Sequence, residues 1–277
     1  MLTHVYKGIY FLQGVLLIVF LSCSKDSTQV NQVPPALPPE SSFLIDFSDF
    51  SDTGGSSLLK PGDMSLLTHE NWGWAATNVL VWNTVLFVNL AVPVAAFKAS
   101  FQHEPVQQPD GSWLWSYSFP VGSTTFSAEL YGALTSEGTQ WDMYISKSNG
   151  FNKFLWYTGG ADLAYSQGSW TIFNHPDEPV AFLSIEWHRN LQDSTADIKY
   201  THLASGEQQA GSYIYYGLTN NFPYNAFYDI FHQANNNHVN IEWNHQTKEG
   251  RIKDPQHFQN SLWHCWNETL DDCECPN

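Results

Sequence analysis

The sequence predicts a mainly β protein: one long antiparallel meander forming a curved sheet or half-barrel around a single apolar helix at about 71–92. Three patterns predict it. From Ala95 onward apolar residues recur at every second position, in segments separated by short turns rich in Gly, Asn, Asp or Ser. Asn71 to Phe97 contains no charged residue, as a buried helix requires. Aromatic side chains, which suit a pleated half-buried surface, are abundant: 12 Trp, 13 Tyr and 18 Phe against 11 Lys+Arg.

In chain order, Phe43, Ile45 and Phe47 alternate and predict a first strand. Gly54-Gly55-Ser56-Ser57 and Pro61-Gly62-Asp63 are turn chemistry. Val79, Trp82, Leu86 and Leu90 then fall at helical spacing and make a bulky face, with Thr77, Val81, Thr84, Val85 and Val88 opposite. The stretch is long enough to cross a bilayer, but Asn78, Asn83, Asn89 and Pro93 are costly in lipid, so the expectation is a buried helix covered on nearly all sides. Its many β-branched residues make a strand pair the rival reading. Pro93 is expected to end or kink the helix.

Strand candidates follow. Phe97, Ala99 and Phe101 alternate, and after the turn Gln108-Pro109-Asp110-Gly111 so do Trp113, Trp115 and Tyr117. Further segments are Phe126–Tyr131, Trp141–Ile145, Phe154–Tyr157, Trp170–Phe173 and Ala181–Trp187. The series continues with Ala196–His202, Ser212–Tyr216, Ala226–Phe231, Val239–Trp243 and Gly250–Lys253. Short links between successive strands mean hairpins, hence a meander. Ile185-Glu186-Trp187-His188 and Ile241-Glu242-Trp243-Asn244 echo one another as a recurring hairpin style.

Charge narrows the partners. The leader holds Lys7 and no acid, so the rest of the chain carries 10 Lys+Arg against 27 Asp+Glu, a net charge of −17. Nucleic-acid phosphates and anionic head groups would repel it, which argues against nucleic acid as a partner and against a basic membrane patch.

Residues 1–22 have the parts of a secretory signal: His4 and Lys7, then the apolar run Gly8 to Leu21, then Ser22. Cys23 follows at once in Ile18-Val19-Phe20-Leu21-Ser22-Cys23, which resembles the lipobox of bacterial lipoproteins with a type II signal peptide. Lys25-Asp26 resembles, weakly, the surface-export signal of Bacteroidota lipoproteins, and Ser24 is compatible with an outer-membrane destination. The resemblance implies lipidation at Cys23 and an acyl-anchored protein of the cell envelope, periplasmic or surface-exposed. Residues 23–42, with Pro34-Pro35-Ala36-Leu37-Pro38-Pro39, read as a lipidated disordered tether, and 43–277 as a single β-rich domain with a Cys-containing tail.

The remaining cysteines, Cys265, Cys273 and Cys275, are disulfide candidates in an oxidising compartment. With His264 they offer four N/S metal ligands, though the spacing fits no common zinc module. Glu186 with His188, and Tyr200 with His202, each share a strand face and are candidates for metal binding or acid–base work. Glu129, Asp142, Glu186, Asp229 and Glu242 lie in strand segments, where a pair at the right separation would serve glycoside hydrolysis. No Gly-x-Ser-x-Gly elbow is present, and no cofactor motif.

The element order resembles the half-barrel of lipoprotein carriers and lipid-binding lipoproteins. That resemblance implies non-enzymatic binding of an apolar ligand such as a lipid or acyl chain. Trp113, Trp115, Trp156 and Tyr157 are candidates for the alternative, a glycan-stacking surface; the other alternative is a structural or assembly role in the envelope.

Overall fold

The computed structural model describes residues 33–51, 69–204 and 206–276. The expected leader, Cys23, residues 23–32 of the expected tether and the expected turns at 54–57 and 61–63 lie outside the described residues. Pro34–Asn277 forms one compact unit.

The fold is mainly β, an unclosed curved sheet with one long helix. Among the described residues fourteen strands lie in sequence order, each pairing antiparallel with the next. They are β1 Val106–Gln107, β2 Trp113–Val121, β3 Thr124–Leu134, β4 Thr139–Lys147 and β5 Phe154–Ala161. Then come β6 Gln167–His175, β7 Glu178–Asn190, β8 Thr195–His202, β9 Tyr213–Leu218 and β10 Ala226–His232. β11 Asn237–Trp243, β12 Gly250–Lys253, β13 His264–Trp266 and β14 Asp272–Cys273 complete the sheet. The helices are α1 Ser48–Ser51, α2 Glu70–Ser100 and α3 Pro255–Phe258.

Alternation decides the two faces. In β2, Trp115, Tyr117 and Phe119 are buried while Ser116, Ser118 and Pro120 are exposed, and in β3 and β4 buried and more exposed positions alternate likewise. The concave face therefore carries the core and the convex face is polar.

Glycine opposite an aromatic recurs across the sheet: Gly132 with Trp141, Gly159 with Trp170, Gly168 with Trp187 and Gly250 with Trp266. A Cβ on Gly132 would sit 2.5 Å from the Trp141 ring, and one on Gly168 2.7 Å from that of Trp187. Each indole lies flat over a neighbouring glycine, which lets the strands bend toward the core while apolar area stays covered. The echo at Ile185–His188 and Ile241–Asn244 is part of this device: Trp187 pairs with Gly168 and Trp243 with Gly250.

α2 bridges the two ends of the curved sheet. The Asn71 side-chain amide donates to the Cys265 carbonyl on β13, and the Tyr117 hydroxyl on β2 donates to the Ala96 carbonyl. Along the sheet those strands are eleven steps of about 4.8 Å apart, an arc of about 53 Å. Along the helix Asn71 and Ala96 are only about 38 Å apart. The sheet must curl for both bonds to form. Asp272 on β14 accepts hydrogen bonds from the Glu70 and Asn71 amides at 3.2 and 2.9 Å, capping α2 from the far end of the chain.

Between α2 and the sheet, residues 34–51 run as a strap. Aromatic donors from successive strands hold it. Trp170 Nε1 donates to Ser42 Oγ, the Tyr200 hydroxyl to the Phe43 carbonyl, the Tyr228 hydroxyl to the Asp46 carbonyl and Trp243 Nε1 to Asp49 Oδ2. The Tyr165 hydroxyl reaches the Ala36 carbonyl. Asp49 is also paired with Lys248 and lies 2.5 Å from His245 Nδ1.

Five expectations are corrected. Phe43–Phe47 joins no strand: Phe43 sits at a bend, 44–47 pair with no strand, and Phe43 and Ile45 are buried because they pack into the core. The tether does not run to residue 42 and the body does not begin at 43, because Pro35 and Pro38 are buried and the compact unit starts at Pro34. α2 does not stop at 92, and Phe97–Phe101 is no strand. The helix continues past Pro93 to Ser100 because its last turns pack Ala96 and Phe97 into the core, with Phe97 against Phe43 and Trp170. Nor is α2 covered on nearly all sides: Val81, Phe87 and Val88 are 54%, 75% and 68% exposed.

Candidate functional site

Eight α2 residues, Asn83, Leu86, Phe87, Leu90, Ala91, Val94, Ala95 and Lys98, repeat at intervals of three and four and so line one face over about four turns. With the strap residues Leu44, Ile45 and Phe47, the end of β2 at Val121 and Tyr200 on β8, they bound a groove of about 430 Å³. The lining is almost wholly apolar. Its polar members are Asn83, Lys98 and Tyr200, and the Tyr200 hydroxyl is already used on Phe43 at 2.9 Å. Burial pushes the Tyr200 phenol well above its ordinary value, which keeps it a neutral donor. The groove exists because the strap holds α2 off the sheet while small residues, Ala91 and Ala95, leave space beside Leu86 and Leu90.

The expected aromatic ligand residues belong to the core instead. Trp115, Trp156 and Tyr157 are buried, and Trp113 is partly buried against them. Trp113 and Trp115 share one face of β2, and Trp156 and Tyr157 are both buried although adjacent in β5, where the pairing with β4 shifts register, so the four form no exposed stacking platform.

The candidate metal ligands also separate. Cys265 and Cys275 form a disulfide, and Cys273 is left exposed and free. His264 stacks on Phe258 at 3.7 Å. Among the described residues no group of three or more His, Cys, Asp or Glu is placed to hold a metal ion.

β7 and β8 are neighbours, but their two candidate pairs face opposite ways. Tyr200 is fully buried, His202 nearly so and stacked edge-on against Phe182, whereas Glu186 and His188 are on the convex face. His188 Nδ1 lies 2.9 Å from Asp197. The acids follow the same rule, since each neighbours buried residues in its strand. Glu129 pairs with Lys153 and Glu242 with Arg251. Asp142 accepts from Thr158, and Asp229 from Tyr213 and Asn240. These are cross-strand ties on a polar surface. A shallow polar recess of about 580 Å³ adjoins Glu186 and His188, but its Asp162 is already committed to Ser166.

Sequence reasoning missed Leu44, Val94, Ala91 and Lys98. Leu86 and Leu90 were visible on the helix's bulky face; that the row from Asn83 to Lys98 forms a face of its own, bordered by the strap, was not.

A curved antiparallel meander with an apolar groove between its bridging helix and an N-terminal strap is thus the class of structure present. Comparison with protein-family models, with curated proteins and with solved structures finds no match.

Proposed function

We propose that this chain is a lipid-anchored protein of the bacterial envelope whose domain binds an apolar, acyl-type ligand without chemical turnover. The groove beside α2 is the observation that carries the reading: its size lies in the range of small-molecule sites, and apolar lining with few polar groups is what such a ligand needs. The lipobox-like Ile18–Cys23 supports the anchor, a thioether-linked diacylglycerol at Cys23 with further acylation holding the protein in the outer membrane, on its periplasmic or its surface face. Phe87, which lines the groove, is itself 75% exposed and extends the apolar surface. Native mass spectrometry of the mature chain released from host membranes in mild detergent tests both parts. The expected result is an N-terminal triacylated Cys23 and one further lipid per chain. An unmodified N-terminus sinks the anchor, and a chain free of bound lipid sinks the ligand. An empty groove would favour the second reading, a structural role in the envelope.

A further inference from the structure

We infer that the ligand is a single-chain amphiphile with an anionic head, its chain lying along α2 and its head met by Lys98; this rests on the binding role proposed above. Three observations carry it. The groove follows α2 from Asn83 to Lys98, fifteen residues or about 22 Å of helix. Along that length the lining is apolar apart from Asn83 and Lys98, at its two ends, and Tyr200. A long apolar slot with one cation at its end suits an extended polymethylene chain that carries a head group at one end.

Lys98 is the one charged residue in the lining, and it stands at the end of that path. Lys153, Lys248 and Arg251 each pair with a carboxylate, but among the described residues none is within ion-pair distance of Lys98. A cation left open at the end of an apolar slot, on a chain this acidic, complements a negative head group. Lys98 also lies in the last turn of α2, where a cation suits the helix dipole. A role confined to that would affect folding and would not discriminate between ligands.

Carboxylate and phosphate heads share this chemistry, and the test separates them. The mature chain from residue 23, secreted with Cys23→Ser so that no acyl group competes, is dialysed against radiolabelled dodecanoate, dodecanol and dodecanoyl lysophosphatidate. Wild type is expected to bind at least one of the two anions tenfold or more tighter than dodecanol, and the tighter anion identifies the head group. Lys98→Gln should abolish that preference while leaving dodecanol binding unchanged, and Lys98→Arg should keep it. Equal affinities in wild type, or a preference that survives Lys98→Gln, overturn the head-group assignment and leave the groove reading standing. Failure of all three probes to bind overturns the groove reading itself.

Discussion

The Tyr200 hydroxyl donates to the Phe43 carbonyl at 2.9 Å, both residues fully buried, and this bond fixes the strap at the point where the groove begins. Tyr200→Phe would leave that carbonyl unsatisfied in an apolar surrounding. The expected cost is about 1–2 kcal/mol of unfolding free energy in urea titration, with the fold retained. A loss under about 0.3 kcal/mol would mean that the strap is held by packing alone.

Asp49 anchors the strap's other end. Burial raises its pKa, but hydrogen bonds from Lys248, Trp243 and His245 outweigh burial and hold the carboxyl below its ordinary value. A depressed folded-state pKa gives stability that is present above the unfolded value and is lost as pH falls through the folded one. Stability should therefore decline below about pH 4, and Asp49→Asn should flatten that acid limb. Equal acid sensitivity in both proteins would remove Asp49 from the account.

Gly132 takes no positive-φ conformation, so substitution there tests close approach alone. Gly132→Ala drives a methyl into the fully buried Trp141 ring and should cost about 1–3 kcal/mol, with a change in near-ultraviolet circular dichroism. Gly122→Ala, at a turn with open space around it but a φ of 57°, should cost about 1 kcal/mol with no change in the aromatic spectrum.

Asp272 supplies the only described side-chain cap for the first α2 amides, from β14 within the disulfide-closed tail. Asp272→Ala should destabilise by about 1 kcal/mol, and hydrogen exchange should rise first in the amides near Glu70.

Most of the sheet could be read from residues because the concave core imposes period two on long segments: β2, β4 and β11 all announce themselves by buried aromatic or aliphatic residues at alternate positions. β1, β13 and β14 have two or three residues, too few for any period to show. The strap was misread because apolar residues at alternate positions also suit an unpaired segment packed on a core, and its partners are side chains on β6, β8, β10 and β11 rather than a backbone ladder. The end of α2 was misread because Phe97, Ala99 and Phe101 mimic a strand locally, and only the contacts of Phe97 with Phe43 and Trp170 decide otherwise. Of the groove, Leu86 and Leu90 were legible on the helix's bulky face because that spacing is local, whereas Leu44, Val121 and Tyr200 arrive from three separate parts of the chain.

The groove is the claim on which the functional reading depends, and filling it is the direct test. Ala91→Trp places a large apolar side chain where the ligand chain would lie, and the adjoining helix surface is open enough for the fold to tolerate it. Equilibrium dialysis with radiolabelled dodecanoate is expected to show one molecule bound per wild-type chain and at least tenfold weaker binding to Ala91→Trp, with melting temperatures within a few degrees of each other. Undiminished binding by a folded Ala91→Trp chain would contradict the account.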